Sequence, residues 1–157
     1  MKIIFLDIDG VLNGFETLND PTTTDLKPDS LEFWAYYIDK DKVERLNQII
    51  DETGASVVIS STWRLILTQE FITKVLESKG FVGSIIGVTP ELPEHTEKYR
   101  RLREINTFCK NEIHADIRIA IDDDFLHNMK MVRTDGRYGL QDKHIKEACD
   151  LLTVKLI

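Results

Sequence analysis

The chain has 157 residues, a formal net charge of -7 and two cysteines. That length allows one domain with a sizeable core and excludes two comfortable ones. The acidic balance excludes a general polyanion-binding surface, so a nucleic-acid partner needs a local basic patch. Cys109 and Cys149 both lie in segments of helical periodicity and make no disulfide scaffold, which sets a reducing cytoplasm as the expected compartment.

Short apolar runs alternate with amphipathic segments along the chain, the pattern of an α/β domain with a parallel sheet. Lys2–Leu6 is the first predicted strand, and it ends in Asp7 and Asp9. Those carboxylates interrupt the apolar run too early for a secretory signal, and no other run reaches the length of a transmembrane helix. Asn13 to about Asp41 is expected to be irregular, holding "NDPTTTDLKPDS" and the aromatic cluster "FWAYY". Lys42–Glu52 carries Val43, Leu46, Ile49 and Ile50 at helical spacing and stops at Gly54. A second strand is predicted at Ser56–Ser60, a helix at Thr68–Ser78 and a third strand at Ser84–Val88. Glu97–Lys110 reads as a charged helix with Leu102, Ile105 and Cys109 inward, followed by a fourth strand at Ile117–Ile121. "MKMVRT" is predicted as a short fifth strand and "DKHIKEACDLL" as a closing helix. No repeat, linker or low-complexity tract divides residues 1–157, so a single domain is expected.

Four groups of residues carry chemistry. In Asp7-Ile8-Asp9-Gly10, residues two apart on an extended chain project together, so the two carboxylates share a side while Ile8 turns into the core. They stand just past the end of a parallel strand, where open α/β sheets bind ligands, and Gly10 permits a sharp exit. In "IAIDDDF", Asp122, Asp123 and Asp124 crowd the end of another apolar strand. Like charges there repel and raise one another's pKa, a penalty that a divalent cation removes; hard carboxylate oxygens suit Mg²⁺. Asp124 is better read as the N-cap of a short "FLHNMK" helix. In "VVISSTWR", a hydroxyl at the end of the second strand is a phosphate-oxygen binder or a turn cap, and Arg64 is read as a surface side chain or an added cation. The run Lys98, Arg100, Arg101, Arg103 is interleaved with Glu97 and Glu104, so most of it is expected on a solvated helix face with one cation aimed at the site.

Taken together, the order of carboxylate pair, hydroxyl, cation and second carboxylate pair resembles the haloacid dehalogenase (HAD) superfamily of phosphohydrolases. "FLDIDGVLN" is similar to its first motif, "VVISSTWR" to its second and "IAIDDD" to its fourth. For the third, "RLREI" resembles a pattern that makes Arg101 the cation, with Lys98 as its competitor. The serine-serine-x-tryptophan-arginine run, the triple aspartate and "TDGRYGL" are similar to HAD modules associated with RNA-repair proteins. The resemblance implies a Rossmann-like three-layer α/β sandwich around a parallel sheet of order 5-4-1-2-3. It also implies Mg²⁺-dependent, two-step phosphoryl transfer. Asp7 is then the nucleophile that forms an aspartyl-phosphate, and Asp9 exchanges protons with the leaving group and with water. Asp7, the Asp9 backbone carbonyl and one of Asp122 and Asp123 hold the metal; Ser60 and Arg101 neutralise the phosphoryl oxygens.

Only about Gly14 to Asp41 is available for a cap, which is too short for a folded one, so an open site is expected. Such a site admits a phosphorylated small molecule or a nucleotide or nucleic-acid end. Phe33, Trp34, Tyr36 and Tyr37 read either as core packing or as a base-stacking surface. Two other readings keep parts of this pattern. One is a non-catalytic phospho-binding module, which would most readily lose Asp7 or Asp9. The other is a receiver-like domain, whose acceptor aspartate would come later than the first strand.

Overall fold

The structure is a computed structural model that describes residues 1–21, 25–93, 99–111 and 115–153. Its strands are β1 (Lys2–Leu6), β2 (Ser56–Ile59), β3 (Ile85–Val88), β4 (Ile117–Asp122) and β5 (Met131–Arg133). All four pairings are parallel and the sheet order is β3-β2-β1-β4-β5, the expected 5-4-1-2-3 counted from the opposite edge. A parallel sheet is buried on both faces, and β1 shows why its residues are apolar without alternation. Ile4 and Leu6 enter one core cluster, while Ile3 and Phe5 enter the other.

The helices cover both faces. On the first lie α2 (Leu31–Tyr36), α3 (Lys40–Thr53), α4 (Gln69–Ser78) and α6 (Asp142–Leu151). On the second lies α5 (Arg100–Asn111), which buries Ile105 and Phe108 against Phe5. α3 buries Val43, Leu46 and Ile49 at helical spacing, and its last turn closes through the Gly54 N–H on the Ile50 carbonyl. α4 begins where the Thr68 hydroxyl accepts the Phe71 N–H at 3.1 Å.

Three expectations need correction. The segment after Asn13 is not irregular throughout: it forms α1 (Phe15–Leu18) and α2. The Ser30 hydroxyl starts α2 by accepting the Phe33 N–H, and Leu31, Trp34 and Tyr37 pack on the core. The "FLHNMK" helix does not form. Asp124 caps nothing; its own N–H donates to Asp122 Oδ1 at 2.9 Å, holding the chain in a turn beyond β4. The third correction is Glu104 of α5; Glu97 and Lys98, expected at the start of that helix, lie outside the described residues. Glu104 is buried rather than solvated, for a reason given below.

Among the described residues, no helix is long and apolar enough to cross a membrane.

Candidate active site

The ends of β2, β1 and β4 stand side by side, and Ser60, Asp7 and Asp122–Asp123 stand at those ends. Asp7 extends the ladder, its N–H donating to the Ile121 carbonyl at 3.0 Å. Its side chain is almost fully buried, and its Oδ1 accepts the Ile8 N–H at 2.9 Å. Ile8 is in the core, as alternation along an extended chain requires. The chain then turns at Gly10, where φ is +83°. Space adds a second demand there. A Cβ on Gly10 would stand 2.4 Å from Asp123 Oδ2, and one on Gly136 would stand 2.9 Å from the same oxygen. The two glycines make the slot that admits Asp123.

Asp7, Asp122 and Asp123 each offer a carboxylate oxygen within 4.8 Å of the others. Arg101 reaches into this group from the first turn of α5, with Nη1 2.7 Å from Asp122 Oδ2 and 3.1 Å from Asp7 Oδ2. Burial opposes the guanidinium charge, but Asp7 and Asp122 outweigh it and push the Arg101 pKa up. Asp7 is pushed up to about 8, first by burial and then by the Asp122 charge, against the opposing pull of Arg101. Burial also raises Asp123, which lies within hydrogen-bonding reach of Asp7. One guanidinium is thus set against three crowded carboxylates. A hard divalent cation fits that all-oxygen donor set.

Asp9 is placed differently. Its Oδ1 accepts from Asn13 Nδ2 at 3.0 Å and from the Trp63 indole N–H at 3.2 Å, and its side chain is not part of the three-carboxylate group. Asn13 is fully buried and also bonds the Gly10 N–H and the Tyr37 carbonyl. Trp63 packs against Trp34 of α2 with ring centroids 5.0 Å apart. The aromatic cluster of the insertion therefore buttresses Trp63 from the core side.

The two serines after β2 divide the roles that the sequence left open. Ser61 caps the short 3-10 turn Thr62–Leu65 by accepting the Trp63 N–H at 3.1 Å. Ser60 is buried, and its hydroxyl has no hydrogen-bond partner. An orphaned buried hydroxyl costs about 1–3 kcal/mol, so it marks a position suited to an incoming acceptor or donor.

Arg64 is neither a surface side chain nor a cation of the carboxylate group. Its side chain is buried and ion-paired with Glu104 of α5, and it donates to the carbonyls of Thr89, Ser60, Ser61 and Pro90. Glu104 follows Arg101 by one helical turn, so this pair ties the helix carrying Arg101 to the loop carrying Ser60. Sequence reasoning missed Glu104, Asn13 and Thr134. Asn13 closes "DGVLN" and was the most visible of the three. Thr134 donates to the Gly10 carbonyl at 2.7 Å, and the Leu140 N–H donates to the Val11 carbonyl at 2.8 Å. The "TDGRYGL" segment thereby pins the turn that follows Asp7.

Comparison with known proteins adds one positive result. A family model described as the HAD domain in Swiss Army Knife RNA repair proteins matches residues 3–145. No curated protein and no solved structure matches the chain.

Proposed function

This chain belongs to the family of HAD domains in Swiss Army Knife RNA repair proteins, and on that premise we propose that it is a Mg²⁺-dependent phosphomonoesterase working through an aspartyl-phosphate. The observation that carries the reading is Arg101 wedged between Asp7 and Asp122, with Asp123 alongside. Phosphoryl transfer needs positioned charge above all, and this arrangement supplies it from three sheet and helix termini.

Asp7, Asp122 and Asp123 would hold the cation, which when bound offsets the carboxylate repulsion and draws charge from the phosphoryl oxygens. Asp7 attacks phosphorus as its carboxylate, the bond to the leaving oxygen breaks, and Asp9 delivers a proton to that oxygen. Water then attacks phosphorus as Asp9 takes the water's proton back, and Asp7 is released. Because Asn13 and Trp63 occupy Asp9 Oδ1 as donors, the transferred proton is carried on Oδ2. Arg101 and the unpartnered Ser60 hydroxyl face the phosphoryl oxygens.

The insertion supports an open site, since α1 and α2 are one-turn and two-turn pieces and α2 packs on the core. Such a site suits a phosphate on a large leaving group. The substrate we propose is a terminal phosphate on a nucleotide or oligonucleotide, the 3′ end first, in keeping with the repair association of the family. Free thiols at Cys109 and Cys149 suit a cytoplasmic setting.

The test is a screen of phosphate esters with Mg²⁺, run beside an Asp7→Asn control and an excess of chelator. Turnover abolished by both changes is expected. Turnover that survives Asp7→Asn removes the nucleophile assignment. Phosphate binding without turnover in the wild type would make the domain a phospho-binding module instead.

A further inference from the structure

Arg101 borders two spaces. Its guanidinium faces Asp7 and Asp122, while the same residue lines a neighbouring cavity of about 280 Å³. The walls of that cavity include Tyr99, in the turn just before α5, and Asp124, Phe125 and His127 from the loop beyond β4. Phe125 is 65% exposed and Tyr99 51% exposed, a cost in exposed apolar surface that core packing does not explain. The rings stand together: His127 lies 6.1 Å from Tyr99, with a 30° tilt between the planes, and 6.3 Å from Phe125. Arg133 steadies the loop, donating from Nε to the Asp123 carbonyl while its guanidinium sits 6.0 Å from the Phe125 ring centre. Chain geometry ties these rings to the reaction centre, because Phe125 is two residues beyond Asp123 and Tyr99 is two before Arg101.

We infer that this cavity is the subsite for the base of the nucleotide whose phosphate is cleaved, an inference that rests on the phosphatase reading of the adjoining site. Three features choose a single nucleobase over other occupants. Aromatic faces stack any base, whereas a sugar or glycerol leaving group gains little from them. The volume lies just below the usual range of ligand pockets, about 300–1,000 Å³, and so takes one ring system rather than several. The Asp124 carboxylate in the wall accepts from base amino groups and repels a second phosphate. Arg100, the other cation at this wall, is turned away to the Leu92 carbonyl at 3.0 Å and toward Glu104. The subsite thus favours the terminal nucleotide over a phosphate-tracking groove.

Binding and turnover are measured separately. Adenosine 3′-monophosphate, glycerol phosphate and inorganic phosphate are titrated with Mg²⁺ against Asp7→Asn protein by calorimetry. Phe125→Ala, Tyr99→Ala and Phe125→Trp are then added to that background and, in parallel, to the wild type for kcat/KM. The nucleotide should bind more tightly than glycerol phosphate. Phe125→Ala should weaken the nucleotide alone by about five- to 150-fold, and Phe125→Trp should keep it. Equal affinity for the two esters, or an unchanged nucleotide affinity in both alanine variants, overturns the subsite. If the wild type cleaves nucleotide and glycerol phosphate alike regardless of Phe125, the phosphatase reading stands and the subsite falls. If nothing is cleaved but nucleotide binding is still lost with Phe125→Ala, the subsite stands and the hydrolytic reading falls.

Discussion

Burial and the nearby Asp122 charge raise the Asp7 carboxyl to about 8, so without metal it keeps its proton at neutral pH. The unfolded value is 3.8, which means that between the two the native state binds a proton that the unfolded chain has released. Stability of the metal-free protein therefore falls as pH rises through that window, and Asp123, also raised, acts in the same direction. Thermal melts in chelator from pH 5 to 8 should show a declining Tm, and Asp7→Asn should flatten the decline. A Tm that rises with pH in the wild type would contradict the arrangement. Asp9 gives a second test at this scale. Asn13→Ala and Trp63→Phe each remove one donor to Asp9 Oδ1, and should slow alkyl phosphates about tenfold while sparing p-nitrophenyl phosphate, whose leaving group needs little acid help. Equal losses on both substrates would mean that the two residues only support the fold. Asp7 and Asp122 were legible because a charge at the end of an apolar strand needs a partner. Trp63 was not, since its role depends on a hydrogen bond to a partner 54 residues away, a spacing that follows no period; Asn13 lies four residues from Asp9 and was the more visible of the two.

At the level of elements, α5 is held by charge at Arg101 and Glu104 and by packing between and beyond them. Its Ile105 and Phe108 sit in the core, while Glu104 meets Arg64 from the loop after β2. Breaking a buried ion pair by removing one partner costs about 3–5 kcal/mol, because the other charge is left without its counterion. Glu104→Ala should lower stability by that order and reduce kcat/KM as well, since the turn bearing Arg101 loses its anchor; denaturant melts and single-ester kinetics on the same samples read both. Arg101→Ala should cut kcat/KM by about a hundredfold, and its cost in stability in chelator should shrink when Mg²⁺ is added, because the cation takes over the charge that the guanidinium balanced. Should Lys98→Ala prove as damaging, the cation has been assigned one helical turn out of place. The strands were readable because a parallel sheet buries both faces and leaves continuous apolar runs. Glu104 was misread as solvated because its interleaved position among arginines is the pattern of an exposed face, and the partner that buries it is 40 residues away. The two helices of the insertion were hidden for a related reason: they are too short to show a period, and docking rather than propensity forms them.

For the whole molecule, cation binding and folding are linked. A ligand that binds only the native state raises its stability with concentration, so Mg²⁺ should raise Tm most at the alkaline end, where repulsion among Asp7, Asp122 and Asp123 is greatest. No shift at any pH, with activity also indifferent to chelator, would remove the metal from the account. The general plan was legible, with five parallel strands and acidic termini converging on one edge. The lacing of that edge was not, because it comes from loops whose partners lie far along the chain. The Thr134–Gly10 hydrogen bond joins residues 124 positions apart. On the ribosome, where chains lengthen at about 5–20 residues per second, the turn behind Asp7 waits some seconds for the residues that fasten it. Until residues 117–122 are made, β1 also lacks β4 beside it and that apolar edge is open. The stretch from β4 to Thr134 thus brings together, once it is made, both the cover for that edge of β1 and the fastening behind Asp7.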